Sequence, residues 1–126
     1  MSFAIDANLL VYASAEGAPQ HAAASAFLRD CVRGPEVFYI AWPTVMAYLR
    51  LVTHPKILRA PLSAAQAERN IASLLAVPHC RTLCEQEGFW PVYLDCTQGL
   101  AMRGNAVPDA HLAALLKQNG ITRVYT

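Results

Sequence analysis

The sequence predicts an α/β domain in which a mainly parallel sheet is flanked by helices. Short apolar, β-branched runs alternate along the chain with longer segments of helical periodicity, which is typical of a parallel sheet with crossover helices. A length of 126 residues suits one domain with one core. Polar residues follow directly on the first apolar run, as expected where a buried strand turns into a helix.

The first half of the chain is divided by Gly and Pro residues, which interrupt regular structure. The β-branched and aromatic run before Pro43 is the clearest strand of the sequence. The predicted elements are a strand at Ser2 to Ile5, a turn or short helix at Asn8 to Ala13, an amphipathic helix at His21 to Cys31, a strand at Val37 to Trp42, and a helix that begins at Pro43 and ends before Pro55.

The second half is predicted to be mainly helical, with two further strands. Ser63 has the side chain of a helix N-cap, and the Asn119-Gly120 pair is typical of a helix end. The predicted elements are a helix that begins at Ser63, a short strand within Val77 to Leu83, a helix at Gly88 to Met102, a strong helix at Pro108 to Leu116, and a strand at Ile121 to Thr126.

The composition limits the possible classes of protein. Charged residues make up 15% of the chain, against about 25% in ordinary globular proteins, so we expect part of the surface to be covered by another chain. The net charge of +1 is too small to indicate a nucleic-acid-binding protein by itself. No apolar run approaches the ~20 residues of a membrane span, and the first residues do not resemble a signal peptide. We therefore expect a cytoplasmic protein with no membrane association.

The four cysteines do not have the spacing of a metal site. His79, Cys80 and Cys84 lack the usual separation of zinc ligands, and no second pair follows them. In a reducing cytosol we expect free thiols that are mostly buried.

Two aspartates are predicted to meet at one edge of the sheet. Asp6 follows the first strand, and Asp109 lies in the first turn of the helix before the last strand. Ligands of open parallel sheets bind beyond the carboxyl ends of the strands, and the helix start faces that same edge. Two adjacent carboxylates repel each other unless a cation lies between them, and Mg²⁺ or Mn²⁺ prefers such oxygen ligands. A metal there could serve nuclease chemistry.

Each aspartate also has a simpler interpretation. An acid in the first helical turn is favoured by ~0.3–1 kcal/mol through the helix dipole, which is sufficient to explain Asp109. Asp6 could bond the amides of its own turn. These residues alone leave both interpretations open.

Three segments resemble a known family. The segment from Phe3 to Ala13 (FAIDANLLVYA) resembles the opening of PIN domains. The segment from Ile40 to Pro55, with its YLRLVTHP stretch, resembles the second block of VapC-type toxins. The segment from Gly104 to Leu115 (GNAVPDAHLAAL) is similar to their third block. The three blocks occur in the same order and spacing along essentially the whole chain.

The resemblance implies a PIN-like three-layer α/β/α sandwich and the toxin of a type II toxin–antitoxin module. It implies an endoribonuclease that depends on Mg²⁺ or Mn²⁺, cleaves tRNA or rRNA, forms a homodimer and is restrained by a VapB-type antitoxin. By residue matching, Asp6 and Asp109 correspond to the metal-binding, catalytic acids of the family.

The chain departs from the family pattern at two places. Many PIN nucleases carry a Glu at the position that aligns with Ala47. The family also continues into a turn with another acid, whereas this sequence of 1–126 stops at Thr126. Either the sequence is a fragment, or this PIN domain lacks its C-terminal turn and strand. Two carboxylates alone would bind Mg²⁺ weakly, so we expect residues 1–126 to cleave RNA weakly or not at all.

Further side chains near the acids are candidates for supporting roles. Asn8 and Asn105 could contact a metal-bound water or a phosphate, although turn geometry is the simpler role. Arg50 could contact an RNA phosphate or form an ion pair with Asp6 or Asp109. We expect Trp42 to pack in the core rather than stack on a base. His111 turns away from Asp109 around the helix, so we expect a core or interface residue.

Two other functions compete with the ribonuclease hypothesis. A degenerate PIN domain that only binds an antitoxin or RNA would explain the absent acids. A phosphatase or phosphotransfer domain would share the acid at the sheet edge, but this chain lacks a lysine and a Ser or Thr at suitable positions.

Overall fold

A computed structural model describes residues 2–126, and its four strands form one sheet in the order β3-β2-β1-β4. The strands are β1 (Phe3–Ile5), β2 (Phe38–Ala41), β3 (Cys80–Leu83) and β4 (Val124–Tyr125). Every adjacent pair is parallel, so the carboxyl ends of all four strands lie along the same edge. The predicted mainly parallel sheet is therefore confirmed.

Six helices connect the strands. They are α1 (Ala7–Ser14), α2 (His21–Arg33), α3 (Trp42–Val52), α4 (Ala64–Leu75), α5 (Phe89–Thr97) and α6 (Ala106–Gln118). Ser63 caps α4 as predicted, since its hydroxyl accepts a hydrogen bond from the Gln66 N–H at 3.1 Å. The chain passes through two helices between β1 and β2, between β2 and β3, and between β3 and β4.

The strands separate two apolar cores because successive side chains of a strand point to opposite faces. Phe3, Ile5, Phe38 and Ile40 belong to the larger core, which they share with residues of α1 to α4. Their neighbours Ala4 and Ala41 belong to a smaller core, together with Leu83, Leu115 and Leu116. The result is the three-layer α/β/α sandwich that the sequence predicted.

The direction of α6 follows from the topology. This helix precedes β4, and β4 pairs in parallel with β1. The chain must therefore return along α6 from the carboxyl edge of the sheet to the amino edge. A helix of 13 residues rises about 20 Å, enough to cross the sheet. The start of α6 consequently lies at the carboxyl edge.

Several predicted boundaries were wrong. The second strand ends at Ala41, and Trp42 begins α3 with 40% of its surface exposed, so Trp42 does not pack in the core. The helix predicted to reach Met102 ends at Thr97, and the last strand is only Val124–Tyr125. The helix predicted to start at Pro108 already starts at Ala106.

The cysteines only partly follow the prediction. All four are free thiols, and Cys31 and Cys80 are buried, whereas Cys84 is exposed and Cys96 is half-buried. Burial is the main cause that raises the pKa of Cys31 to about 11, and neighbouring acids raise it further. Burial likewise raises the pKa of Cys80 to about 11. The expectation of mostly buried thiols was thus wrong for Cys84.

Large apolar side chains remain exposed on several helices, most of all on α5 and α3. Helix α5 buries none of its residues, and Trp90 and Leu94 are 64% and 48% exposed. Met46 on α3 is 56% exposed. Among residues 2–126, no helix has the length and apolar character that a membrane span requires.

Candidate active site at the carboxyl edge of the sheet

Asp6 lies where β1 ends and α1 begins. Its backbone N–H donates to the Tyr125 carbonyl oxygen of β4 at 2.8 Å. Its carboxylate oxygen Oδ1 accepts from the Ala7 N–H at 2.7 Å, which makes Asp6 the N-cap of α1. Within the part of the chain that the structure describes, the other oxygen, Oδ2, has no hydrogen-bond partner. The backbone therefore fixes Asp6 while one carboxylate oxygen remains available.

Asp109 lies in the first turn of α6 and is exposed. The helix starts after Gly104, whose φ of 56° is a conformation that favours glycine. Asn105 is the N-cap but forms no side-chain capping hydrogen bond. The topology of α6 places Asp109 at the same edge of the sheet as Asp6, in agreement with the simple sheet-edge argument.

The donor set of this edge matches a hard divalent cation. Asp6 and Asp109 supply carboxylate oxygens, which Mg²⁺ and Mn²⁺ bind in preference to nitrogen or sulfur. Over residues 2–126, no group of three or more His, Cys, Asp or Glu side chains converges on one point. Asp6 and Asp109 thus supply two carboxylates, and a bound Mg²⁺ would keep several waters, as this ion usually does.

A third acid at this edge escaped the sequence analysis. Glu85 follows β3 by two residues, and its carboxylate forms a hydrogen-bonded pair with the His111 ring of α6. The hydrogen bond from His111 is the main cause that lowers the pKa of Glu85. The sequence contained the signal. Asp6 was selected because it follows a predicted strand, and Glu85 likewise follows the predicted strand at Val77 to Leu83.

The same pair decides against one of the two alternatives for His111, the core, while the interface alternative stays a prediction. The ring is half-buried rather than in the core, and it packs edge-on against Phe89 at 5.7 Å between ring centroids. His111 therefore connects α6 to the segment after β3.

The remaining candidates form no hydrogen bond or ion pair with either acid among the described residues. Arg50 is exposed in the last turn of α3, and no carboxylate of residues 2–126 forms an ion pair with it. The ion-pair alternative for Arg50 was therefore wrong. Asn8 is exposed in the first turn of α1, and Ala47 is half-buried on α3. No hydrogen bond joins Asn8 or Asn105 to either acid within the described range.

Comparison with known proteins places this geometry in a family. Ribonuclease VapC48 of Mycobacterium tuberculosis is 40% identical to the chain over 126 residues, which cover all of this chain and 87% of the relative. The chain belongs to the VapC ribonuclease family. Another member, ribonuclease VapC33 of M. tuberculosis, is 31% identical over 109 residues, which cover 86% of this chain and 76% of that relative. No protein-family model matches the chain.

The fold agrees with that of a solved VapC protein. The crystal structure of M. tuberculosis VapC20, described as a sarcin-ricin loop cleaving toxin, aligns with a TM-score of 0.71. The alignment covers 98% of this chain and 88% of VapC20 at 17% sequence identity. This VapC family member therefore has the PIN fold that the sequence predicted.

Two substitutions separate the role of Asp6 as the N-cap of α1 from the role of its negative charge. Asn caps helices about as well as Asp, so Asp6→Asn should retain the free energy of unfolding within about 0.5 kcal/mol. Asp6→Ala removes the cap and should lower the free energy by ~0.5–2 kcal/mol. Urea denaturation of both variants measures the difference. An Asn variant as unstable as the Ala variant would mean that the fold requires the negative charge itself.

Proposed function

We propose that this VapC family member is a metal-dependent endoribonuclease and the toxin of a type II toxin–antitoxin module. The observation that carries the proposal is the placement of Asp6 and Asp109 at one sheet edge by β1 and α6. Family membership supports RNA as the substrate, and tRNA or rRNA is the class that the family resemblance implies. The protein would act in the cytoplasm, where its substrate is found.

Mg²⁺ or Mn²⁺ is the proposed cofactor, and Asp6 and Asp109 would hold it. When bound, such a metal neutralises the charge that develops on a phosphodiester and activates water. Asp6 contributes a carboxylate whose backbone is already fixed by β4 and whose Oδ1 is held by the Ala7 N–H. Asp109 contributes a carboxylate from the exposed start of α6, on the side open to substrate. Asn8 and Asn105 are proposed to support this site by hydrogen bonds.

Removal of either acid tests the proposal. Asp6→Asn and Asp109→Asn should each weaken Mn²⁺ binding at least tenfold and remove the weak cleavage of RNA, because each removes one of two metal-binding carboxylates. Asp95→Asn on α5 makes the same chemical change at another exposed aspartate and should cleave like wild type. Gel assays with a fixed RNA and calorimetric titration of Mn²⁺ provide the two measurements.

The outcomes separate the competing functions. If both Asp variants cleave RNA at the same rate as the wild-type protein, the proposed site is wrong. If the wild-type protein binds RNA or antitoxin but its titration shows no binding of Mn²⁺, the protein is a degenerate PIN domain that only binds partners.

An RNA-binding surface is proposed at the end of α3. Residues 53–61 form a closed loop there, because the Leu62 N–H donates to the Val52 carbonyl oxygen at 2.9 Å. Leu58 anchors this loop in the core with only 8% exposure. Lys56 and Arg59 are exposed in this loop, and Arg50 is exposed in the last helical turn before it. The loop thus brings three cations to one end of α3.

The charge distribution supports a polyanionic partner for this surface. The segment 37–67 contains Arg50, Lys56 and Arg59 but no Asp or Glu. The rest of the chain therefore has seven basic and nine acidic residues, although the whole has a net charge of +1. No carboxylate in residues 2–126 forms an ion pair with these three cations. Each is free to contact a phosphate, to which Arg is especially well suited.

The salt dependence of RNA binding tests this surface. For single-stranded RNA, each lost phosphate contact should reduce the slope of log affinity against log salt by about 0.7. We expect this change for Arg50→Gln and for Lys56→Gln, measured with one fluorescent single-stranded RNA. Arg33→Gln, an exposed site on α2, is the matched control. Slopes equal to that of the wild-type protein would place the RNA elsewhere.

A VapB-type antitoxin and a second copy of the chain are the proposed protein partners. An apolar groove of about 370 Å³ between α1, α2 and α4 is a site of suitable character for an antitoxin. The exposed apolar side chains Trp90 and Leu94 on α5 support a homodimer, since large apolar patches commonly mark protein interfaces.

A further inference from the structure

The segment between β3 and α5 is bound along the side of α6 by polar contacts. The Gln86 N–H donates to Gln118 Oε1 at 2.9 Å, and the Gln86 side-chain amide donates to Asn119 Oδ1 at 2.8 Å. Gln118 Nε2 donates in return to the Gln86 carbonyl oxygen at 3.0 Å. Nearer the start of the helix, in its second turn, the His111 ring pairs with the Glu85 carboxylate. The segment therefore holds α6 at two points along its length.

The first turn of α6 has few other anchors. Val107, Pro108 and Asp109 are all exposed, and Asn105 supplies no capping hydrogen bond. Along α6 as the structure describes it, His111 is the first residue whose side chain forms a hydrogen bond. It follows Asp109 by two residues, a rise of about 3 Å, whereas Gln118 lies about 13 Å beyond Asp109.

Apolar packing alone defines the position of this turn poorly. Leu112, Leu115 and Leu116 pack α6 against the small side chains of Ala4 and Ala41. Such contacts are non-directional, so a small shift or rotation of the helix changes their energy little. A hydrogen bond has a preferred distance and angle, and therefore fixes one point of the helix in space.

We propose that the Glu85–His111 pair positions Asp109 for metal binding. The inference rests on the proposed function, because it assigns the pair a role only through the carboxylate of Asp109. Glu85 is a positioning residue in this scheme: it holds His111, His111 holds the second turn of α6, and that turn holds Asp109 at the carboxyl edge.

The affinity for Mn²⁺ tests the inference, measured by calorimetric titration of the purified protein. Glu85→Ala and His111→Phe should each weaken Mn²⁺ binding about tenfold, the usual size of effect for a residue that orients a metal ligand. Phe at position 111 retains an aromatic contact with Phe89 but has no N–H to donate. The double variant should be no worse than either single variant, because both remove the same interaction.

Two further variants separate positioning from simple loss of charge. Glu87→Ala removes an exposed carboxylate from the same segment and should bind Mn²⁺ like wild type. Glu85→Gln retains a hydrogen-bond acceptor for the ring and should recover most of the affinity that Glu85→Ala loses. A role limited to stability would lower the melting temperature of the Ala variant without changing the Mn²⁺ affinity of the folded protein.

The possible results are distinct. If Glu85→Ala and Glu87→Ala bind Mn²⁺ equally well while Asp109→Asn binds it poorly, the positioning role is wrong and the proposed function stands. If Glu85→Ala weakens binding but His111→Phe does not, Glu85 is itself a metal ligand and the inference is overturned. If the wild-type protein binds no Mn²⁺, the proposed function is wrong and the inference falls with it.

Discussion

The candidate site depends on the backbone hydrogen bonds that pair strand β4 with β1. The Ala4 N–H donates to the Arg123 carbonyl oxygen at 2.9 Å, and the Asp6 N–H donates to the Tyr125 carbonyl oxygen at 2.8 Å. Because the pair is parallel, the preceding helix must cross the sheet from its carboxyl edge. This pairing therefore fixes the backbone of Asp6 and requires α6 to start at the same edge of the sheet.

Strand β4 is a short edge strand with only two residues, so side-chain packing must help to hold it against β1. Both residues of β4 are partly exposed, at 43% for Val124 and 38% for Tyr125, but the Tyr125 ring packs against two other rings. Its ring centroid lies 5.1 Å from that of Phe3 and 4.9 Å from that of Phe27. Aromatic pairs of this kind add about 0.5–1.5 kcal/mol beyond the burial of their area. The packing of Tyr125 thus helps to hold β4, and with it the return of α6.

Local sequence was sufficient to predict those parts of the site that depend on one strand or one helix. Asp6 follows a strand and Asp109 begins a helix, so topology alone brought them to one edge. The pairing of Glu85 with His111 could not be predicted in the same way, because it joins residues 26 positions apart in different elements. The position of Glu85 at the edge was nevertheless visible in the sequence.

The errors in the predicted elements have physical causes. The apolar, aromatic character of Trp42 favoured a strand, but Pro43 fits the first turn of a helix, and α3 starts at once. Helix α5 is as apolar as a core helix, yet it buries no residue, so its sequence gives no sign of which face lies outward. Its pattern is better explained by a protein interface, as proposed above, than by the core of a monomer.

The central claim is that Asp6 and Asp109 bind one metal ion together. Bound Mn²⁺ broadens the NMR signals of nearby amides, so a titration followed by NMR reports both segments at once. The account predicts that the amides of Ala7 and Asn8 and those of Asp109 and Ala110 broaden together, with a single dissociation constant. Broadening of only one of the two segments, or two different dissociation constants, would contradict it.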